Sequence, residues 1–277
     1  MKSFILSPKI QFILMVLSLC SNATDQAWGY SDREDNEMIA NGQGVSSPSF
    51  FGGLNGENPA GLASNQSFKL QGGFAAFNQE LSTPTRGSGA LLMGNGMLGA
   101  GIEYSTFNSS PYPNGSAEID WGVAGRFSTL ETTIGVSGHQ VVAASGTNWS
   151  NAGNYDIGAL FEPFRTMRVG AMVPNFNHGL RIAAGGITWL LGPRFDFVVD
   201  AAYHLLDKAG TIKPGLSIHS NRIQLSAAYG ARMLGSEDVF LNTGFTGGIG
   251  LKITNALLVE YQYRALPQHW LGLTLRF

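Results

Sequence analysis

The chain has 277 residues, of which 44% are hydrophobic and only 13% are charged, with 37 glycines and a formal net charge of -2. A chain this weakly charged and slightly acidic is not expected to bind nucleic acid. Because Cys20 is its only cysteine, a disulfide framework is excluded and the fold must be held together by other means.

The first 23 residues have the three parts of a secretory signal peptide. A lysine-containing start is followed by an apolar run over residues 10–20 and by small residues that end at Ala23. The apolar run is too short to span a membrane as a helix. A lipoprotein signal would place the lipid on Cys20, but the bulky Leu19 before it disfavours that alternative. We therefore predict that residues 1–23 are a cleaved signal peptide.

Residues 24–65 do not have the pattern of a strand. Their first part is acidic, and the part that follows is rich in Gly, Ser and Asn. A disordered linker has such a composition, but Phe50, Phe51 and the tight run Asn58-Pro59-Ala60-Gly61-Leu62 indicate packed structure. We predict that residues 24–65 form an N-terminal hatch, or plug, at the mouth of a barrel built by residues 66–277.

From residue 66 onward, apolar and polar residues alternate with period 2 in segments separated by turn residues, which predicts β-strands. Fourteen strands are predicted at 66–77, 88–94, 97–107, 117–127, 131–140, 154–162, 167–174, 180–190, 195–204, 211–219, 222–232, 240–252, 256–265 and 269–277. Twelve strands are the alternative, because 88–94 and 167–174 have the weakest alternation. Across Ala184-Gly185-Gly186 the alternation blurs, which predicts a bulge or a kink.

The connections between these segments alternate between short and longer. Three of the short ones, Asn95-Gly96, Ser220-Asn221 and Thr254-Asn255, are hairpin signals. A soluble β-sandwich has no reason to sort its loops in this way, whereas outer-membrane barrels have short periplasmic turns and longer outer loops. The fold class is therefore all-β: a transmembrane antiparallel β-barrel of about 14 strands, with both termini on the periplasmic side.

The alternation also separates an apolar face from a charged face. A lysine or arginine on the lipid face at mid-bilayer costs about 2–4 kcal/mol, so the charged faces are predicted to line the lumen. The polar candidates for the lumen are Arg126, Arg168, Asp196, Asp200, His204, Arg222, Arg232, Glu260 and Arg264. Charges of both signs favour salt bridges across the lumen; the alternative is that some basic residues attract the anionic head group of a passing solute.

The last ten residues, Gln268 to Phe277, alternate cleanly and end on an aromatic residue. Such an end resembles the closing strand of bacterial outer-membrane barrels, whose assembly machinery reads a terminal Phe. We therefore predict that Phe277 is an assembly signal. The expected partners are the outer-membrane lipid and the barrel assembly machinery.

The run Asn58-Pro59-Ala60-Gly61-Leu62, in a Gly/Ser-rich segment ahead of many strands and a terminal Phe, resembles the long-chain fatty acid transporter family of outer-membrane proteins. In that family a hatch with an Asn-Pro-Ala motif sits inside a fourteen-stranded barrel. The resemblance implies uptake of hydrophobic small molecules, such as fatty acids or hydrocarbons. They would pass from an outer site through the lumen and leave by a gap in the wall. It also implies that Asn58, Pro59, Ala60 and Gly61 form the plug motif.

Two other functional classes stay open. A structural or adaptor barrel, serving secretion or surface attachment without transport, fits the short outer loops and the balanced charges. A barrel enzyme has less support, because Asp200 and His204 share a face but lack a recognisable nucleophile. The five histidines are scattered singly and none has metal-ligand spacing. We thus expect no catalytic residue, no metal and no cofactor. The leading prediction is an uptake channel in the outer membrane of a Gram-negative cell.

Overall fold

The computed structural model describes residues 58–64, 67–77, 86–107, 116–142, 154–178, 180–192, 194–206, 208–234, 244–264 and 268–277. The predicted signal peptide and residues 24–57 and 65 of the predicted hatch lie outside these ranges. Their assignment therefore stays a prediction. In the part of the chain that the structure describes, no helix has the length and apolar character needed to cross a membrane.

Fourteen strands account for most of the described residues. They are β1 (Phe68–Phe77), β2 (Arg86–Gly94), β3 (Leu98–Phe107), β4 (Ser116–Phe127), β5 (Thr132–Val142), β6 (Asn154–Phe164), β7 (Met167–Val173), β8 (Ile182–Leu190), β9 (Phe195–His204), β10 (Ala209–His219), β11 (Ile223–Leu234), β12 (Gly244–Lys252), β13 (Leu257–Arg264) and β14 (Gln268–Arg276). Short 3-10 helices occupy Pro59–Ser64, Ser128–Leu130 and Phe176–His178.

The strands form a closed antiparallel barrel. Each strand pairs with its neighbours in the chain, and β1 pairs with β14 to close the ring. Along this closing seam the register runs from Lys69 opposite Arg276 to Phe77 opposite Gln268. Closure gives every strand two partners and so leaves no exposed edge. The predicted fourteen-stranded antiparallel barrel is confirmed.

The three predicted hairpin turns are held by the side chain of their first residue. The Asn95 Oδ1 accepts hydrogen bonds from the backbone N–H groups of Met97 and Leu98, at 2.9 and 2.8 Å. Gly96, which lies between Asn95 and Met97, has a φ of 83°, a conformation that favours glycine. The hydroxyl oxygens of Ser220 and Thr254 accept two such bonds each in their own turns. The end of the barrel that carries these turns is called the short-turn end below.

Of the two irregularities predicted across Ala184-Gly185-Gly186, a bulge or a kink, the bulge is wrong. The register of β8 is continuous across these residues against both β7 and β9. Register shifts occur elsewhere, between Phe161 and Phe164 and between Gly210 and Thr211.

The sequence pattern of β8 blurs because its inward face is apolar near the end opposite the short turns. Ile182 and Ala184 pack inside the barrel with Met172 and Ala209, and all four are buried. The alternation of inward and outward residues is therefore intact, while the alternation of polarity is not.

The outer surface of the barrel is apolar and aromatic at both rims. Exposed aromatic residues at the short-turn rim include Phe68, Phe127, Phe164 and Phe195, and those toward the opposite rim include Tyr104, Tyr155, Tyr203, Tyr229 and Phe245. Between them most of the exposed residues are aliphatic, for example Leu70, Ile102, Val123, Leu225 and Leu273. An apolar band between two aromatic girdles is typical of a barrel that spans a membrane.

The inner surface has the opposite character. Its buried polar and charged residues include Glu103, Ser105, Glu118, Asp120, Ser137, Asp156, Thr188, Asp196, Asp200, Lys213, Glu260 and Thr274. A soluble protein places polar residues outside and apolar residues inside. The barrel reverses that arrangement, as expected when the surrounding medium is lipid.

Phe277 extends the closing seam by one residue beyond β14. Its N–H donates to the backbone oxygen of Phe68 at 2.9 Å, and the two rings lie 5.9 Å apart between their centroids. The terminal aromatic residue therefore fastens the last strand to the first at the short-turn end.

We expect deletion of Phe277 to lower the amount of assembled barrel, because it removes both this hydrogen bond and the ring contact. Heat-modifiable migration of the outer-membrane fraction in detergent gels measures the folded barrel. Phe277→Trp keeps the backbone bond and an aromatic ring, so it is the matched control. Normal levels of folded protein after the deletion would contradict the role assigned to Phe277.

Candidate functional site

Residues 58–64, called the inner segment below, lie inside the barrel. Pro59 fixes its own backbone φ, and a tight turn follows in which the Gly61 N–H donates to the Asn58 oxygen at 2.9 Å. The side-chain oxygen of Asn58 accepts from the Ala60 N–H at 3.0 Å. Its Nδ2 donates to the backbone oxygens of Ala159 in β6 and Ala171 in β7, at 3.1 and 3.2 Å. One asparagine thus shapes the turn and fastens it to the wall.

Three inward glycines let the inner segment lie close against the wall. A Cβ at Gly99 in β3 would overlap the Leu62 carbonyl, and one at Gly135 in β5 would overlap the backbone of Pro59. A Cβ at Gly158 in β6 would overlap the side-chain oxygen of Asn58. Any larger residue at these three positions would occupy space that the inner segment already fills.

A histidine held between two carboxylates lies on the inner wall near the end opposite the short turns. The Nδ1 of His139 lies 2.7 Å from Asp120 Oδ1, and its Nε2 lies 2.8 Å from Asp156 Oδ2. All three residues are buried. Because a carboxylate only accepts hydrogen bonds, two ionised partners favour a proton on each ring nitrogen of His139.

Neighbouring groups hold this cluster in place. The Asn175 N–H donates to Asp156 Oδ1 at 2.9 Å, and the Ser137 hydroxyl lies 3.5 Å from Asp156 Oδ2. Glu118, which is buried on β4 next to Asp120 on the same face, offers a carboxylate oxygen within 4.8 Å of ligand atoms of Asp120 and His139. The cluster therefore draws on strands β4, β5 and β6 and on the connection after β7.

A second network lies at the short-turn end. Arg126 donates to Glu131 at 3.2 Å and to Glu162 at 2.8 Å, and Arg168 Nε donates to Glu162 at 3.1 Å. These side chains are between one-sixth and one-half exposed. Partly exposed pairs contribute little individually, so the network holds the rim in shape more than it stabilises the fold.

A third network crosses the closing seam. The Gln71 Nε2 donates to the Thr274 hydroxyl at 3.3 Å, and that hydroxyl donates to Glu260 Oε2 at 2.9 Å. A small cavity of about 20 Å³ adjoins these residues and Glu103. It has room for about one water molecule.

The remaining candidates from the sequence are dispersed. Asp196 accepts from His219 Nε2 at 2.7 Å. Asp200 is buried on the inner face, while His204 and Arg232 are half-buried. Arg222 lies in the exposed turn before β11. Arg264 ends β13, and its side chain is outside the described residues. The structure therefore brings Arg126 and Arg168 together, but it does not gather the nine polar candidates into one site.

His139 was not among the polar residues that the sequence singled out. The signal that could have found it is the turn at 128–130, because a short hairpin places Asp120 directly opposite His139 across β4 and β5. The contact of Asp156 with His139 could not be found in this way. It depends on the β5–β6 register, which a long connection does not set.

The comparisons with known proteins agree with this architecture. No protein-family model and no curated protein matches the chain. Among solved structures, the barrel is similar to the outer membrane protein Omp33 of Acinetobacter baumannii, with a TM-score of 0.52 and 11% sequence identity over 78% of this chain and 100% of that chain. A mutant porin of Rh. blastica is similar with a TM-score of 0.43 and 8% identity, over 76% and 99% of the two chains. At such identities the likeness to Omp33 establishes the fold, which is a closed antiparallel β-barrel.

Proposed function

We propose that this protein is a channel of the bacterial outer membrane and that the inner segment narrows its lumen. The observation that carries the proposal is the reversed polarity of a closed fourteen-stranded barrel. An apolar band with aromatic rims faces outward, and charged residues face inward. A barrel of about eight strands is already filled by its own inward side chains. A barrel of fourteen strands has a wider interior, which either water or another part of the chain must occupy.

The inner segment supports the idea of a constriction. It lies against β2, β3, β4, β5 and β6 and is fastened by Asn58 to the backbone of β6 and β7. Its contacts are therefore on one side of the barrel. A segment fixed to one wall narrows the lumen, and it can move away only when the two hydrogen bonds of Asn58 break.

The proposed solutes are hydrophobic small molecules, in line with the resemblance to the fatty acid transporter family. Two features support this finer proposal: the placement of Asn58-Pro59-Ala60-Gly61 on the inner wall, and the inward apolar cluster of Met172, Ile182, Ala184 and Ala209. That cluster lies near the end opposite the short turns. In the proposed orientation this is the outer end, where an apolar solute would enter.

Conductance and uptake test the two levels of the proposal separately. We expect the mature protein to conduct ions in planar lipid bilayers and to conduct more when residues 24–64 are deleted, because the constriction is then gone. We also expect liposomes containing the protein to take up a fluorescent long-chain fatty acid, and Asn58→Ala to reduce that uptake while the barrel still assembles. If the protein conducts ions but does not take up the fatty acid, the channel proposal stands and the proposal of a hydrophobic solute is rejected.

A structural barrel without transport is the second candidate function. The buried arrangement of Asp120, His139 and Asp156 favours it. Paired charges that are shielded from solvent strengthen the barrel wall, but they do not line a water-filled path through the lumen. If neither the intact protein nor the deletion variant conducts ions, this second function replaces the channel.

A further inference from the structure

We propose that Glu118, Asp120 and His139 bind a divalent transition-metal ion, with Zn²⁺ as the best fit. The proposal concerns the inner wall of β4 and β5, near the end opposite the short turns. It is independent of whether the lumen conducts ions. Ligand atoms of the three residues all lie within 4.8 Å of one another, and each residue is buried.

The first argument is an acidic oxygen that lacks a donor. Asp120 is fully buried, with 0% of its surface exposed, and its Oδ1 faces His139. Its other oxygen, Oδ2, is shielded from solvent and has no hydrogen-bond donor among the described residues. An acceptor atom that is buried without a donor is costly, because it loses its hydrogen bonds to water and gains none in return. A bound cation would supply the missing partner.

The second argument is the way in which His139 is oriented. Histidines that bind metals generally donate their other ring N–H to a carboxylate or carbonyl, which fixes the ring. Here the Nε2 of His139 donates to Asp156 at 2.8 Å, and Asp156 is itself held by the backbone N–H of Asn175. The Nδ1 of His139 is then directed at Asp120. The arrangement matches a carboxylate–histidine–metal site in which a proton takes the place of the metal.

The donor set selects the class of ion. One imidazole nitrogen and two carboxylates suit Zn²⁺ and its neighbours better than Mg²⁺ or Ca²⁺, which prefer oxygen ligands alone. Bonds to Zn²⁺ are about 2.0–2.2 Å long, so two of its ligands are at most about 4.4 Å apart. The spacing in the cluster therefore requires only small side-chain adjustments. Three protein ligands also leave a fourth position for water or an anion.

The site lies next to the inner segment. Asp156 and Gly158 are successive inward residues of β6, and a Cβ on Gly158 would overlap the side chain of Asn58. Metal binding would thus replace the proton on Nδ1 of His139, whose ring Asp156 orients through Nε2. Asp156 itself lies one inward position along β6 from the residue that faces the turn of the inner segment.

Calorimetric titration of the tag-free mature protein with zinc chloride, after treatment with a chelator, tests the proposal. We expect one Zn²⁺ per chain. Asp120→Asn and His139→Gln should weaken binding by at least about tenfold, and Asp156→Asn, as a positioning residue, by roughly 10–100-fold. Asp200→Asn is the matched control, since Asp200 is an equally buried inward acid on β9. It should leave the affinity unchanged.

A spectroscopic measurement on the unmutated protein covers the case in which a variant does not fold. X-ray absorption at the zinc edge should show nitrogen and oxygen ligands with the scattering of one imidazole. The proposal is overturned if Zn²⁺ does not bind, if Asp120→Asn folds and binds it as tightly as the unmutated protein, or if the bound ion has no imidazole ligand.

Discussion

Gly135→Ala and Gly158→Ala, introduced together, are expected to displace the inner segment from the wall. Each new Cβ would overlap atoms of Pro59 or Asn58, which cannot move without breaking the hydrogen bonds from Asn58 to β6 and β7. Overpacking of this kind costs about 1–3 kcal/mol per site. Since each 1.4 kcal/mol is a factor of ten, the population of displaced segments should rise roughly tenfold or more.

Labelling of a single cysteine measures this displacement. Ala63 is buried in the inner segment, and the only natural cysteine, Cys20, belongs to the predicted signal peptide. An Ala63→Cys variant should therefore react slowly with a thiol reagent, and much faster when the two alanines are present. Gly125→Ala is the control, because its Cβ would make only an ordinary contact, 3.7 Å from Leu98. Equal labelling rates in all three backgrounds would show that the glycines do not position the segment.

His139→Leu is expected to destabilise the barrel strongly. It leaves Asp120 and Asp156 buried, close together and without their shared donor. Removing one partner from a buried ion pair costs about 3–5 kcal/mol, because the remaining charge is uncompensated. Urea unfolding of the metal-free protein in lipid vesicles, followed by tryptophan fluorescence, measures the free energy of unfolding.

Two further variants show whether charge is the cause. His219→Leu removes the bond to one carboxylate, that of Asp196, from a side chain that is one-fifth exposed, so its cost should be smaller. Adding Asp120→Asn and Asp156→Asn to His139→Leu should recover part of the loss, since amides do not repel each other. If the His139 and His219 variants lose the same amount of free energy, the two carboxylates are not coupled through His139.

The sequence contains the information for the strands because the barrel wall is nearly periodic. Alternation located all fourteen strands to within a few residues, with β9 matching the predicted 195–204 at both ends. Alternation is misleading in β8, where Ile182 and Ala184 face inward and remove the contrast between the two faces. Polarity identifies a strand face only where the inside is polar.

The arrangement inside the barrel was less accessible from the sequence. The sequence does not distinguish three of its 37 glycines, Gly99, Gly135 and Gly158, from the others. Their role is visible only when the inner segment is placed against them. Asp156 could not be assigned to His139, because the connection over residues 143–153 leaves the β5–β6 register open. Contacts across short turns can be derived from a sequence, whereas contacts across long loops and between the inner segment and the wall need coordinates.

The pairing of β1 with β14 has a consequence for the order in which the barrel forms. Thirteen of the strand pairs in the barrel join strands that are neighbours in the chain, so these pairs can form as local hairpins at little entropic cost. The seam from Lys69 and Arg276 to Phe77 and Gln268 joins the two ends of the barrel sequence, so it bears the entropy of closing the whole loop. We therefore expect ring closure to follow the hairpins. Substitutions along this seam should slow folding if the seam is formed in the transition state, and they should mainly speed unfolding if it forms after the transition state.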